Sequence, residues 1–267
     1  MTVRLNGGGF VPPLLQHIDV RESVETQVAH VEHSMSLGLS QFGKLCRAHG
    51  HTLSIVGGGP SLADTYQDLS GYVVAINGSL KWLLDKGIVP YACGVLDPGD
   101  HIAGTLVADP RVRFFVSSTC HPSVFEKLKD CNITLWHPGG SDEINKAVFS
   151  RNPEALIAGG GCTMGLRWIT LGYLLGFRRF RCFGMDSSFS EEGTHAYPDW
   201  KDDERERFFE ARGFLTSKDM LQQVADYIVM RERFRYGDVD EIDVDVVGHH
   251  LMREAHDFIE VAIGCLP

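Results

Sequence analysis

Short apolar runs alternate with amphipathic stretches along most of the chain after residue 50. Six of the apolar runs are continuous and rich in Val, Ile and Phe, as strands buried on both faces of a parallel sheet are: HTLSIVG, YVVAIN, YACGVLD, VRFFVSS, NITLWH and RFRCFGMD. Helix-like stretches lie between them, among them GSLKWLLDKG, HPSVFEKLKD and GCTMGLRWITLGYLLGF. This order predicts an α/β fold, a Rossmann-like doubly wound, mostly parallel sheet with helices on both faces.

The beginning of the chain departs from this repeat. Residues 1–20 are interrupted by glycines and prolines, whereas residues 22–49 have a helical pattern that ends at Gly50. The sequence therefore predicts an N-terminal irregular and helical extension over residues 1–50, followed by a Rossmann-like domain over residues 51–267.

Two later parts of the chain also differ from the repeat. The stretch after NITLWH is looser and rich in Gly and Asp, and beyond Asp186 a long polar loop runs into an acidic helix start at about 202–206. A helix over about 217–235, the strand IDVDVVG and a last helix from about His250 are predicted after that loop.

The composition limits the partners and the cellular compartment that we expect for this chain. The 267 residues carry a formal charge of −10, which argues against a nucleic-acid partner because phosphate neutralisation needs clustered Lys and Arg. The seven cysteines are scattered without a CxxC pair, which is typical of buried thiols in a reducing compartment. Without a secretory signal or an apolar run of roughly 18 residues, we expect a cytoplasmic chain with no transmembrane segment. The oligomeric state stays open.

Small and polar residues concentrate just after the predicted strands. In an open α/β sheet, ligands bind at the carboxyl ends of the strands, near the point where the strand order reverses. The strand-end segments are therefore the expected binding region: 57–61, 77–79, 97–100, 117–121, 137–140 and 184–188.

Two glycine runs open helix-like stretches. GGGPSL begins at Gly57, but Leu62 stands where the dinucleotide fingerprint GxGxxG needs a glycine, and no P-loop motif is present. Ser61 could cap the following helix and create an anion site, or the glycines could merely permit a tight turn. The second run, AGGGCTMG at 158–165, offers either a second set of backbone N–H groups for a ligand or close packing of the helix on the sheet.

Several polar side chains are candidates for chemistry. Asp97 and Asp186 each follow a buried strand, where a carboxylate binds a metal, takes a sugar hydroxyl or caps a helix. His195 lies in the long polar loop and is either a general base or an ordinary surface residue. The HVEH segment at 30–33 is interpreted as a surface feature, and His250 as the start of the last helix.

Three segments taken together resemble the MptE-like domain family: IVGGGPSL, AINGSLKWLLDKGIVPYACGVLDPG, and GGGCTMGLRWITLGYLLGFRRFRCFGMDSSFSEEGTHAY. That family includes archaeal 6-hydroxymethylpterin diphosphokinases and the domain of the Maf proteins implicated in flagellin glycosylation. Its layout is similar to that of the bacterial family 42 sialyltransferases. The resemblance covers about residues 50–200, with a looser similarity in RGFLTSKDML at 212–221, and implies a nucleotide-binding domain.

The resemblance also implies roles for individual residues. It implies that Gly57, Gly59 and Ser61 contact the nucleotide phosphates or ribose, and that Asn77 holds the ribose or the transferred group. With the two glycine runs added, the predicted nucleotide-binding residues are Gly57, Gly58, Gly59, Ser61, Asn77, Gly160, Gly161 and Thr163. The implied catalytic residues are Asp97 beside the reacting centre and Asp186 and His195 on the acceptor side, with His195 as base or phosphate-side acid. We further expect His121, Ser187 and Tyr197 to bind the substrate.

Two departures from the diphosphokinase pattern weaken the diphosphokinase interpretation, particularly its metal site. VLDPGD stands in place of a DLDG-like element, and VSSTCHPSVF lacks the later His-Gly-Asp segment, so the chain is more similar to the Maf-like branch. We therefore expect a glycosyltransferase-like enzyme that uses a nucleotide-sugar donor and a glycan or small-molecule acceptor, in which His195 takes the acceptor proton and the two glycine turns and Ser61 hold the donor phosphates. The alternatives are an ATP-dependent diphosphokinase of the 6-hydroxymethylpterin type, with Mg²⁺ near Asp97, and a non-catalytic nucleotide-binding protein.

Overall fold

The structure is a computed structural model that describes residues 3–4, 10–11, 22–190, 195–197, 209–237 and 239–264. Within these residues the central element is a sheet of eight strands, and all its neighbouring strands are parallel. The strands are β3 (Ser40–Gln41), β4 (Thr52–Val56), β5 (Tyr72–Ile76), β6 (Ala92–Val95), β7 (Arg113–Ser117), β8 (Asn132–Trp136), β9 (Arg179–Phe183) and β12 (Asp243–Val246). The predicted α/β class with a parallel sheet is confirmed.

The strand order across the sheet is β12-β9-β4-β5-β6-β7-β8-β3. From β4 the chain builds outward through β5 to β8 on one side, and then places β9 and β12 on the other side. The order therefore reverses at β4, whose carboxyl end lies between those of β5 and β9. Ligand sites of doubly wound sheets occur at such a reversal.

Helices cover both faces of the sheet. They are α1 (Val24–Ser36), α2 (Leu62–Thr65), α3 (Ser79–Asp85), α4 (Ile102–Thr105), α5 (Pro122–Lys127), α6 (Asp142–Arg151), α7 (Met164–Leu174), α8 (Lys218–Tyr236) and α9 (Leu251–Gly264). Two short antiparallel strand pairs lie outside this sheet, β1 (Val3–Arg4) with β2 (Phe10–Val11) and β10 (Phe209–Ala211) with β11 (Phe214–Thr216), and a 3-10 helix over Tyr66–Asp68 follows α2.

The core has one large apolar cluster on each face of the sheet. On one face α7 buries Trp168 and Leu171 against strand residues such as Phe115, and α8 adds the buried Tyr227. On the other face α3 and α5 cover the sheet with apolar side chains. This burial on both faces explains why the strands are continuous apolar runs.

Some local predictions were wrong. The helix expected over 22–49 ends at Ser36, because the chain turns at Gly38 with a φ of 65° and then adds β3 to the edge of the sheet. The loose stretch after β8 contains α6, which starts where Ser141 accepts a hydrogen bond from the Ile144 N–H. His30, expected at the surface, is buried, and its Nδ1 lies 3.0 Å from the Thr119 carbonyl oxygen.

Among the described residues, we find no helix with both the length and the apolar character required to cross a bilayer.

Candidate active site

A cleft of about 540 Å³ opens at the carboxyl ends of β4, β5, β6 and β9, where the strand order reverses. Most of the residues singled out in the sequence line it: Gly57, Gly58, Gly59, Asn77, Asp97, Thr163, Asp186, Ser187, His195 and Tyr197. The predicted site residues that are not part of its lining are Ser61, His121, Gly160 and Gly161. The size and position of the cleft are those of a small-molecule site.

The glycine turn after β4 is approached closely by the chain itself. The Gly57 N–H donates to the Phe183 carbonyl oxygen and the Gly59 N–H to the Gly184 carbonyl oxygen, both at 2.8 Å. A Cβ at Gly57 would collide with the Gly184 carbonyl group, and one at Gly59 would lie 2.6 Å from the Asp186 carboxyl carbon. These two glycines are therefore required by the loop that follows β9, whatever ligand the turn contacts.

Gly58, between them, is the glycine that faces the described part of the polar loop. Its carbonyl oxygen accepts a hydrogen bond from the Ala196 N–H at 3.0 Å, and a Cβ there would lie 2.9 Å from the His195 ring and against the Tyr197 hydroxyl. The structure thus places His195 and Tyr197 directly on the glycine turn. Burial raises the pKa of Tyr197 to about 12, so its hydroxyl stays protonated at neutral pH and can donate a hydrogen bond.

The expectation that Ser61 caps a helix with its side chain was wrong. Its N–H donates to Asp186 Oδ2 at 2.8 Å and its hydroxyl donates to Asp186 Oδ1 at 2.6 Å, while α2 is a single turn without a side-chain cap. The Asp186 carboxylate is 4% exposed, and both of its oxygens receive hydrogen bonds from within the protein. The hydrogen bonds between Ser61 and Asp186 therefore connect the turn after β4 to the loop after β9.

His250, predicted only as the start of the last helix, also contacts Asp186. Its Nδ1 accepts the Arg253 N–H, so Nε2 carries the ring proton, 3.0 Å from the Val247 carbonyl oxygen and 3.3 Å from Asp186 Oδ1. The start of α9 is thereby joined to the cleft wall. The sequence shows only a histidine before a helix, and nothing in its spacing relates it to Asp186.

Asn77 follows β5 in an unusual backbone conformation, with a φ of 45°. Its side-chain oxygen is buried in the cleft wall and receives no hydrogen bond from any residue that the structure describes. A buried acceptor left in this state costs about 1–3 kcal/mol. If the side chain turns this oxygen toward the cleft, a donor group of a bound ligand, such as a ribose hydroxyl, would satisfy it.

Asp97 lies at the end of β6 beside a histidine that the sequence reading overlooked. Its Oδ1 accepts the Gly99 N–H at 2.8 Å, and its Oδ2 is 3.9 Å from His101 Nε2. A Cβ at Gly99 would lie only 2.5 Å from the imidazole, so glycine is needed for the ring to occupy this position. Both side chains are about one-third exposed, at 35% and 38%, and both line the cleft. The available signal was the four-residue spacing in DPGDH.

The second glycine run mainly packs against its own helix. Gly160 and Gly161 have φ values of 117° and 75°, and side chains there would contact Thr170 and Leu166 of α7. Thr163, at the N-cap of α7, does line the cleft, and its Oγ1 accepts a hydrogen bond from Gln223 Nε2 at 3.0 Å. The predicted nucleotide contacts of Gly160 and Gly161 stay predictions.

His121 is placed at the start of α5, outside the cleft lining. Its Nδ1 accepts the Ser123 N–H at 3.2 Å, and its ring packs edge-on against His30 with 5.2 Å between ring centroids. Its predicted part in substrate binding stays a prediction. The acidic run at 202–206 lies outside the described residues.

The described lining is poor in fixed positive charge. Among the residues that the structure describes, the cleft is lined by neither lysine nor arginine. It is lined by three carboxylates and two imidazoles, those of Asp97, Asp186, Asp219, His101 and His195. Within the same described residues, no group of three or more His, Cys, Asp or Glu side chains is arranged to hold a metal ion. Phosphate oxygens bound there would be met chiefly by N–H groups, hydroxyls and imidazoles.

A family model described as 6-hydroxymethylpterin diphosphokinase MptE-like matches residues 29–192, which include β3 to β9 but stop before α8. Among curated protein sequences, none matches the chain.

Two solved structures are similar to the chain. The MAf glycosyltransferase from Magnetospirillum magneticum AMB-1 has a TM-score of 0.59 and 16% identity, over 90% of this chain and 41% of that protein. The chain thus spans less than half of that enzyme, and at this identity the similarity shows the fold alone. The sialyltransferase CstII from Campylobacter jejuni, in complex with the substrate analogue cytidine-5'-monophosphate, has a TM-score of 0.39 and 13% identity, over 74% of this chain and 80% of that protein.

Proposed function

The chain belongs to the 6-hydroxymethylpterin diphosphokinase MptE-like family, and from this premise we propose that it is a nucleotide-dependent transferase. The reaction that we favour is glycosyl transfer from a nucleotide-sugar donor to a glycan or small-molecule acceptor. The observation that carries the proposal is the cleft at the strand-order reversal, which is lined by two imidazoles and by Asn77, whose side-chain oxygen accepts no hydrogen bond from the described residues.

The positions of the two imidazoles suggest a division of labour. His195 and Tyr197 lie against the glycine turn, where the donor phosphate is expected, so they would donate hydrogen bonds to the leaving phosphate. This position favours a phosphate-side role for His195 over its expected role as the base that takes the acceptor proton. His101 lies beside Asp97, which follows β6, and is the better placed group to take a proton from the acceptor.

Glycosyl transfer needs no reactant beyond the donor and the acceptor. The acceptor oxygen attacks the anomeric carbon, the bond between that carbon and the phosphate oxygen breaks, and the nucleotide leaves with the bonding electrons. The acceptor proton passes to His101, and Asp97 lies beside the positive charge that the imidazole then carries. Holding both substrates in the cleft supplies most of the remaining acceleration.

A second candidate is diphosphate transfer from ATP to a hydroxymethyl-bearing heterocycle. The observation that favours it is that the carboxylates of Asp97 and Asp219 both line the cleft, and carboxylates are ligands of Mg²⁺. With no larger ligand group among the described residues, the ion would be carried chiefly by the triphosphate.

Turnover of candidate donors tests the proposal. The purified chain is incubated with CMP-, UDP- and GDP-sugars and, separately, with ATP and Mg²⁺ plus 6-hydroxymethyldihydropterin, and the released nucleotide is measured by mass spectrometry. We expect release from one class of nucleotide sugar, with water or an added sugar as acceptor. His101→Gln should slow that release about 100-fold or more, as loss of a general base does, whereas His51→Gln, a change at an exposed histidine before β4, should not.

The other outcomes are equally decisive. AMP formed only from ATP, Mg²⁺ and the pterin would replace glycosyl transfer by diphosphate transfer. Nucleotide binding without turnover of any donor would leave a non-catalytic nucleotide-binding protein.

A further inference from the structure

One side chain of α8 joins two segments that both line the cleft. Gln223 accepts a hydrogen bond from the Ser187 hydroxyl through its Oε1, at 2.9 Å, and donates one from its Nε2 to Thr163 Oγ1, at 3.0 Å. Ser187 belongs to the loop after β9 and Thr163 begins α7. All three residues line the cleft, and α8 lies outside the segment that the family model matches.

The backbone of Ser187 is held firmly in place. Its φ of 52° is in the left-handed region, its side chain is 4% exposed, and its carbonyl oxygen accepts the Thr216 hydroxyl at 2.8 Å. The Ser187 hydroxyl donates to the side-chain oxygen of Gln223, so the amide nitrogen of Gln223 is turned toward Thr163.

This orientation of Gln223 determines the role of the Thr163 hydroxyl. A threonine at an N-cap usually accepts a hydrogen bond from the first turn of its helix, but within the described residues Thr163 makes no such bond. Its oxygen instead accepts from Gln223, and its own O–H proton remains to be donated. Because Thr163 lines the cleft, that proton is available to a bound ligand.

We propose that Gln223 is a positioning residue that makes the Thr163 hydroxyl a hydrogen-bond donor to an acceptor oxygen of the bound nucleotide or nucleotide sugar. This inference rests on the proposed function. It assigns to α8 a part in recognising the donor. The acceptor oxygen belongs either to the nucleotide phosphate or to the sugar, and both sources have the same chemistry.

Gln223→Glu is the sharpest probe, because the side chain keeps its shape but can only accept hydrogen bonds at neutral pH. The Thr163 hydroxyl would then donate to the introduced carboxylate and have no proton left for the ligand. Calorimetric titration with CMP, UDP and GDP, and with UDP-glucose and GDP-mannose, should show the tightest ligand bound roughly tenfold or more weakly, since a hydrogen bond to a charged oxygen is lost. Gln67→Glu, an equal change of charge at an exposed site, should leave binding unchanged.

The added negative charge could itself repel an anionic ligand, and a double-mutant cycle separates the two effects. Thr163→Val removes the hydroxyl, so Gln223→Glu in that background retains only the effect of charge. We expect Gln223→Glu to weaken binding much less in the Thr163→Val variant than in the wild type. Thermal unfolding of every variant, without ligand, shows whether the fold is kept.

Each result supports or overturns the inference. If the effect appears with the nucleotide alone, the acceptor oxygen is on the nucleotide; if it appears only with nucleotide sugars, the oxygen is on the sugar. Equal losses from Gln223→Glu with and without the Thr163 hydroxyl, or no loss at all, would overturn the role of Gln223 while leaving nucleotide binding intact. If no nucleotide or nucleotide sugar binds the wild type, the proposed function fails and this inference fails with it.

Discussion

Replacing Ser61 by alanine should destabilise the protein and leave nucleotide binding nearly unchanged. The resemblance implies that Ser61 contacts the nucleotide, whereas in the structure its hydroxyl donates to Asp186 at 2.6 Å and the residue does not line the cleft. Ser61→Ala removes that bond and keeps the bond from the Ser61 N–H. The two interpretations therefore predict opposite results for stability and affinity.

The magnitude follows from the burial and charge of the partner. Asp186 is 4% exposed, so water cannot readily replace the lost donor. A hydrogen bond to a charged group contributes about 1.5–3 kcal/mol, and the Ser61 N–H and His250 remain as partners, so we expect a loss of about 2 kcal/mol. For a protein of this size that corresponds to a decrease of roughly 4–8 °C in Tm.

Urea unfolding and calorimetric nucleotide titration measure the two quantities on the same preparations. Ser141→Ala, which removes the side-chain cap of α6 away from the cleft, is a matched control with an expected loss of about 1 kcal/mol. We expect Ser61→Ala to change the nucleotide Kd by less than about threefold. A stability loss below about 0.5 kcal/mol combined with a tenfold or larger loss of affinity would refute the assignment of Ser61 to Asp186.

Three further predictions concern the cleft and one buried histidine. Gly57→Ala places a Cβ against the backbone carbonyl group of Gly184 and should lower the free energy of unfolding in urea by about 1–3 kcal/mol. The Cβ of Gly58→Ala meets only movable side chains, so this variant should lose less stability than Gly57→Ala and should weaken nucleotide binding. Equal stability losses in the two variants would contradict this. Tyr197→Phe should weaken nucleotide binding about tenfold without lowering Tm, because it removes only a hydroxyl; unchanged affinity would exclude a ligand contact. Burial lowers the pKa of His137 to about 4. As the pH falls from 6.5 to 4, the unfolded chain therefore takes up a proton at this histidine that the folded protein does not. The free energy of unfolding should decrease by up to about 3 kcal/mol over this range. Urea unfolding at about pH 7 and pH 4.5 measures this decrease, which should be smaller in His137→Gln than in the wild type. An equal decrease in the free energy of unfolding of both proteins would contradict the prediction.

The sheet could be predicted from the sequence because its signal is local. Continuous apolar runs such as residues 52–56 and 72–76 identify buried parallel strands without knowledge of their neighbours. The position of the cleft followed from the same reading, since parallel strands end at one edge. The glycine turn does lie at the cleft, although what approaches Gly57 and Gly59 is the loop after β9.

The partners within the site could not be predicted, because they depend on tertiary contacts between distant parts of the chain. Ser61 and Asp186 are 125 residues apart, and no spacing relates Gln223 to Thr163. The same limit explains His30, whose burial depends on α1 packing against the segment before α5. Local patterns predict elements and strand ends, whereas hydrogen-bond partners across a cleft require the fold.

A thermal-shift measurement of the wild type and Asn77→Ala against CMP, UDP, GDP, ATP and nucleotide sugars, with and without Mg²⁺, tests the central claim most directly. A ligand at about 100 times its Kd stabilises the folded state by about 2.7 kcal/mol, which raises Tm by several degrees. We predict such a rise for one class of nucleotide or nucleotide sugar, independent of Mg²⁺ and much smaller in Asn77→Ala. A rise only with ATP and Mg²⁺ would contradict glycosyl transfer, and no rise with any nucleotide would contradict the assignment of the cleft as a nucleotide site.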